Sequence, residues 1–125
     1  MSIYVEWDNE DLTVILWSFV GRWTWGELDD AIKSLNAMLE NVEHPVDFIF
    51  DLGDMAIMPP DVISAVKAKY LHLAGRPRRL LAVGVDQHLR LFWDTFTDLP
   101  YARSLKMRYF DSIDAARQYI HDNPT

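Results

Sequence analysis

A chain of 125 residues, half of them hydrophobic and 13% aromatic, has the length and composition of one globular domain with its own core, which disfavours disorder. Its 19 acidic residues against 12 basic give a formal net charge of −7. The basic cluster Arg76, Arg78 and Arg79, with Lys67 and Lys69 before it, reads as a solvated helix end and loop, so nucleic acid is excluded as a partner. With no cysteine there is no disulfide, thiolate metal site or cysteine nucleophile. With no signal-peptide pattern and no apolar run near the roughly 20 residues that span a bilayer, the expectation is a soluble, cytoplasmic protein with no membrane span.

In chain order, Ile3, Val5 and Trp7 alternate with Tyr4 and Glu6 as a half-buried strand, and Asp8-Asn9-Glu10-Asp11 is a turn cluster. Leu12 to Val20, rich in Val, Ile, Trp and Phe, completes a hairpin. Thr24-Trp25-Gly26-Glu27 fits a capping box. Trp25, Leu28, Ile32, Leu35, Leu39 and Val42 then follow at helical spacing, up to Pro45. Val46 to Leu52 is almost continuously apolar, apart from Asp47, and predicts a central strand buried on both faces. Asp51-Leu52-Gly53-Asp54 reads as the junction to a second helix opened by Pro59-Pro60-Asp61 and striped by Val62, Ile63, Val66, Tyr70 and Leu73.

Leu80 to Val85 predicts another interior strand. Leu89, Phe92, Trp93 and Phe96 stripe a third helix that closes near Pro100. Lys106 to Phe110 is a short strand, and Asp111 or Ser112 caps a last helix with Ile113, Ala116 and Ile120 on its inner face. Strand, strand, helix and three strand–helix units make an α/β domain. The expected form is a single domain, a five-stranded, mostly parallel sheet with an N-terminal hairpin and about four helices.

Three segments carry a family resemblance: Phe19-Val20-Gly21-Arg22-Trp23-Thr24-Trp25-Gly26-Glu27, Val46-Asp47-Phe48-Ile49-Phe50-Asp51-Leu52 and Asp111-Ser112-Ile113-Asp114-Ala115-Ala116-Arg117. With the element order, they resemble the STAS family, named for sulphate transporters and anti-sigma-factor antagonists, and within it a group of uncharacterised bacterial STAS-like proteins. The resemblance implies a protein-interaction module. Members of the antagonist type carry a phosphorylatable serine at the start of the second helix. Here that place falls near Pro59, Pro60 and Asp61, which offer no hydroxyl, and Ser64 lies about a turn further on.

Chemistry-bearing residues are few. Asp51, Asp54, Asp86 and Asp111 sit near predicted strand ends, where four carboxylates in one crevice could hold a hard cation; turn and cap roles account for them better. His88 could meet Asp54 as an acid–base pair with Asp86 nearby, but no nucleophile stands beside it. No two of His44, His72, His88 and His121 have metal-ligand spacing, and the glycines form neither a dinucleotide fingerprint nor a P-loop. Trp23, Trp93 and Tyr101 are less clearly internal than the other aromatics and form a candidate interaction surface.

Three functions remain. The first is a noncatalytic interaction or signalling module, with a protein partner or self-association as a homodimer. The second is a carrier of a small apolar ligand or lipid. The third, weaker, is an enzyme using Asp54, Asp86 and His88. No cofactor and no metal are expected.

Overall fold

The computed structural model describes residues 2–57, 78–87, 90–91 and 107–124. Five strands form one sheet in the order β1-β2-β3-β4-β5: β1 (Ile3–Trp7), β2 (Val14–Arg22), β3 (Asp47–Ile57), β4 (Leu80–Val83) and β5 (Met107–Phe110). The sheet is mixed, with β1 antiparallel to β2 and the pairs β2–β3, β3–β4 and β4–β5 parallel. Among the described residues, the helices are α1 (Trp25–Leu39) and α2 (Ile113–Asp122). The second predicted helix and most of the third fall outside the described residues, although Gln87, Arg90 and Leu91 are helical.

Local chemistry explains the elements. Asn9 organises the hairpin turn: its side-chain oxygen accepts the backbone N–H groups of Thr13 (3.0 Å) and Val14 (3.2 Å). Thr24 caps α1, its hydroxyl accepting the Glu27 N–H at 3.1 Å. Glu27 turns its carboxylate to the Ser2 backbone N–H at 2.8 Å, so it ties the start of β1 to the helix as well as supporting the cap. That bond holds the Glu27 carboxyl below the usual carboxylate range. Of the two expected caps of α2, Ser112 serves, accepting the Ala115 N–H at 3.0 Å.

The two faces of the sheet carry separate cores. Ile15, Trp17 and Phe19 of β2, Phe48 and Phe50 of β3 and Leu80 of β4 lie on the α1 side, packed with Ala31 and Leu35 of that helix. Val14 and Leu16, Ile49, and Leu81 and Val83 lie on the α2 side with Ala116. Phe48, Ile49 and Leu81 are fully buried, as expected for interior strands covered on both faces.

At the amino-terminal end of the sheet the lone acid of the apolar strand meets the two arginines expected to be solvated. Asp47 is 0% exposed. Arg78 donates to it through Nε (3.1 Å) and Nη2 (2.7 Å), and Arg79 through Nε (3.0 Å) and Nη2 (2.7 Å). The same guanidiniums donate from Nη1 to the carbonyls of Pro124 and Asn123, binding the C-terminal tail to this end. Burial alone would raise the Asp47 carboxyl, but the hydrogen bonds from Arg79 and Arg78 outweigh it and hold the group below its ordinary range. The Arg79 and Arg108 guanidiniums lie over the ring of Tyr119, 5.5 and 5.1 Å from its centroid. A second clamp joins α2 to the hairpin, where Arg117 donates to both carboxylate oxygens of Asp8, from Nε at 2.9 Å and Nη2 at 2.6 Å. The basic cluster is in part a counter-charge for a buried acid, because an ionised carboxylate cannot be buried alone.

Candidate functional site on the open face of the sheet

β3 does not end at Leu52. It runs to Ile57, and its far end pairs with Val20, Gly21 and Arg22 of β2. Gly53 and Asp54, expected in a strand–helix junction, are therefore strand residues. The pairing Ser18↔Asp51 is followed by Val20↔Asp54, so β3 carries one more residue than β2 over this stretch, a bulge at Leu52-Gly53.

Gly53 also lies against the end of β4. A Cβ on Gly84 would come 2.6 Å from the Gly53 Cα, and Gly84 has a φ of +73°, so glycine is required there twice over. Gly84 ends β4 two residues before the expected limit, and its N–H donates to the Phe110 carbonyl at 3.3 Å.

The bulge has a geometric effect. Paired residues on neighbouring strands point to the same side of a sheet, and side chains along one strand alternate. Asp51 and Asp54, three apart, would otherwise face opposite ways. Here both share the face of their partners Ser18 and Val20, the α2 side.

One register row on that side runs Tyr4–Ser18–Asp51–Val83–Phe110. Helix α2 covers its Val83–Phe110 end. Among the described residues nothing covers the rest: Tyr4 is 50% and Val20 46% exposed, Ser18 and Asp51 are half-buried, and Glu6 and Asp54 are exposed. Strands stand about 4.8 Å apart, so Tyr4 and Asp51 are separated by about 10 Å across Ser18. The surface presents three carboxylates (Glu6, Asp51, Asp54) and two hydroxyls (Tyr4, Ser18) around an aromatic ring and a valine. Such a surface can accept N–H donors and cations while burying an apolar contact.

The predicted site residues are distributed differently. Trp23 is a correction: it is 8% exposed, edge-on to Phe19 at 5.7 Å and to Trp25 at 5.2 Å, and belongs to the core under α1. Chain direction at the helix entry, which spacing alone does not reveal, turns it inward. Trp93, Tyr101, Pro59, Pro60, Asp61 and His88 lie outside the described residues.

Asp86 precedes a helical turn, its carbonyl accepting the Arg90 N–H at 3.0 Å, and Asp111 precedes the capping Ser112. Among the described residues no three acidic or histidine side chains are grouped as metal ligands. His44 donates from Nε2 to the Leu12 carbonyl at 2.7 Å, supporting a residue with a φ of +56°. The open face itself was missed. Its signal was the alternation that sets Tyr4, Glu6, Ser18 and Val20 on one side of the hairpin, but the β3 residues joining them depend on the bulge.

No family model matches the chain, and no curated protein does. Among solved structures, an uncharacterised protein of the DUF3478 family from Shewanella loihica, described as having a SpoIIAA-like fold, superposes with a TM-score of 0.65. It is 14% identical, and the match covers 94% of this chain and 90% of that one. The chain thus has a SpoIIAA-like, STAS-like fold, and at this identity the likeness is one of fold alone. Among the described residues no helix is long and apolar enough to cross a membrane.

Proposed function

We propose that this chain is a noncatalytic STAS-like interaction module. Its partner is a protein that brings lysine or arginine side chains around an apolar contact to the open face of the sheet. The observation that carries the reading is the exposure of Tyr4 and Val20 beside Glu6, Ser18, Asp51 and Asp54, on the part of the α2 face that the helix leaves uncovered. An aromatic and an aliphatic side chain exposed among hydrogen-bonding groups have the composition of an interface centre with a polar rim. The net charge of −7 favours a basic partner and fast association at low salt. The Pro59-Pro60-Asp61 segment has no hydroxyl, so the reading includes no phosphoswitch there.

The test is a photo-crosslinking residue at position 20 in the protein's own cells, against a control at Asp114 on α2, whose side chain is 94% exposed. Position 20 is expected to capture a defined protein that the control does not. That partner, once purified, should bind Val20→Asp at least about tenfold more weakly, equivalent to about 1.4 kcal/mol. Equal capture at both positions, or unchanged affinity of the variant, would refute the reading.

A further inference from the structure

The sheet ends at β1: among the described residues no strand lies beyond it, and it pairs only with β2. Hydrogen bonds at its two ends fix the direction of its backbone groups. The Val20 N–H donates to the Ser2 carbonyl and the Asp8 N–H to the Val14 carbonyl, each at 2.8 Å. In an antiparallel pair, residues that exchange such bonds alternate with residues that do not. Tyr4 and Glu6 therefore bond inward to Ser18 and Leu16, while Ile3, Val5 and Trp7 turn their N–H and C=O groups away from β2.

Sheets commonly blunt such an edge with lysine, proline or a bulge. Ile3-Tyr4-Val5-Glu6-Trp7 carries none of these: its register with β2 is unbroken and its residues favour extended pairing. On the α1 side Ile3 is buried but Val5 and Trp7 are only half-buried, so apolar surface remains beside the free edge.

The strand is complementary to itself. Set antiparallel to a second copy and centred on Val5, it places Val5 opposite Val5, and Ile3 of each copy opposite Trp7 of the other. Every outward N–H and C=O of these residues then has a partner. On the other side of the sheet, Tyr4 of each copy stands opposite Glu6 of the other, a phenol donor beside a carboxylate acceptor. Neighbouring registers of the same phase are worse. Centring on Glu6 sets two carboxylates directly opposite each other, and centring on Tyr4 leaves Trp7 with no partner residue in the strand.

We propose that β1 is the interface of a homodimer, in which two copies of this chain join edge to edge, antiparallel about Val5, into one continuous sheet. The twofold axis stands perpendicular to the sheet and brings the open faces of both copies to the same side. The pairing runs through backbone groups and is tested on the purified chain alone, so its outcome does not depend on whether a basic partner docks on those faces.

Sedimentation velocity of the full chain from about 1 to 100 μM should show a monomer–dimer equilibrium. Val5→Pro removes an outward N–H at an edge position, where proline is tolerated, and should weaken association at least about tenfold. Because the chain has no cysteine, introduced thiols report the register directly. Chains carrying Tyr4→Cys, mixed with chains carrying Glu6→Cys, should form the mixed disulfide ahead of either symmetric one; both positions are exposed. Opposite residues there have Cα atoms about 4.5 Å apart, within disulfide reach, whereas the symmetric pairs are diagonal at about 7–8 Å. The inference is overturned if the wild-type chain stays monomeric up to about 100 μM, if Val5→Pro associates like wild type, or if the disulfides form in statistical proportion. Should Val5→Pro fail to fold, wild-type sedimentation and the disulfide pattern decide alone.

Discussion

Replacing Asp47 with Asn keeps the shape of the side chain and removes its charge. The carboxylate accepts one Nε and one Nη2 hydrogen bond from each of two arginines. The amide offers a single oxygen, able to keep about half of those bonds, and turns its own N–H₂ towards guanidinium donors. Hydrogen bonds to charged groups contribute about 1.5–3 kcal/mol each, and breaking a buried ion pair costs about 3–5 kcal/mol. The Arg78 and Arg79 side chains remain 29% and 15% exposed and keep their carbonyl acceptors in the tail, so the low end applies, about 3 kcal/mol. For a domain of this size that is a fall in melting temperature of roughly 10 °C.

Thermal melts at neutral pH, followed by circular dichroism, measure this loss. The pH dependence carries a second check. A carboxyl whose folded value is depressed stabilises the protein above its unfolded value and loses that contribution as pH falls through the folded one. The wild-type advantage over Asp47→Asn should be flat at and above about pH 5, where an ordinary carboxylate is ionised, and shrink as pH falls below the ordinary 3.8. A variant melting within about 1 °C of wild type, or an advantage that grows below pH 3.8, would refute the account of Asp47 as a buried charge neutralised by two arginines.

Gly84→Ala should destabilise by about 2 kcal/mol from its positive φ alone, with a further loss as the strands part around the new methyl group. Gly53→Ala, whose methyl would meet Asp51 Oδ1 at 3.6 Å and the Gly84 Cα at 3.9 Å, both ordinary contacts, should change stability by less than about 1 kcal/mol; equal urea midpoints for the two variants would contradict the close approach. Ile49→Asp places an unpaired charge in the fully buried centre of β3 and should abolish the cooperative melt, since that penalty is on the order of the whole folding stability. A wild-type transition would show that this strand is not interior.

Much of the frame was legible because local chemistry dictates it. Turn residues at Asp8–Asp11, the Thr24 cap and the near-continuous apolar runs at 46–52 and 80–85 each specify structure within a few residues. The order of elements then constrained the topology. Two features escaped for one physical reason, namely that their determinants are long-range. Asp47 and its arginines are 31 and 32 positions apart, so no window contains both; the signal was a single acid in a doubly buried strand, which demands a counter-charge. Gly53-Asp54 carries turn chemistry, yet pairing with the end of β2 holds it in the sheet, and tertiary context overrides the local preference. Trp23 was misplaced because a residue between strand and helix has no periodicity to assign its face.

The bulge in β3 also shifts the phase of the strand. Upstream of Leu52, every second side chain belongs to one side; from Asp54 to Met55 the same rhythm resumes one step late, and a second shift follows before Ile57. A saturation scan read with an unbroken alternation would assign Asp54 to the wrong layer. An alignment that places a relative without the extra residue alongside this chain, gap-free, would equate positions on opposite surfaces. Distant sequences of this fold are therefore best compared across residues 51–54 by face rather than by count, with the glycine of the bulge as the point where the two countings part.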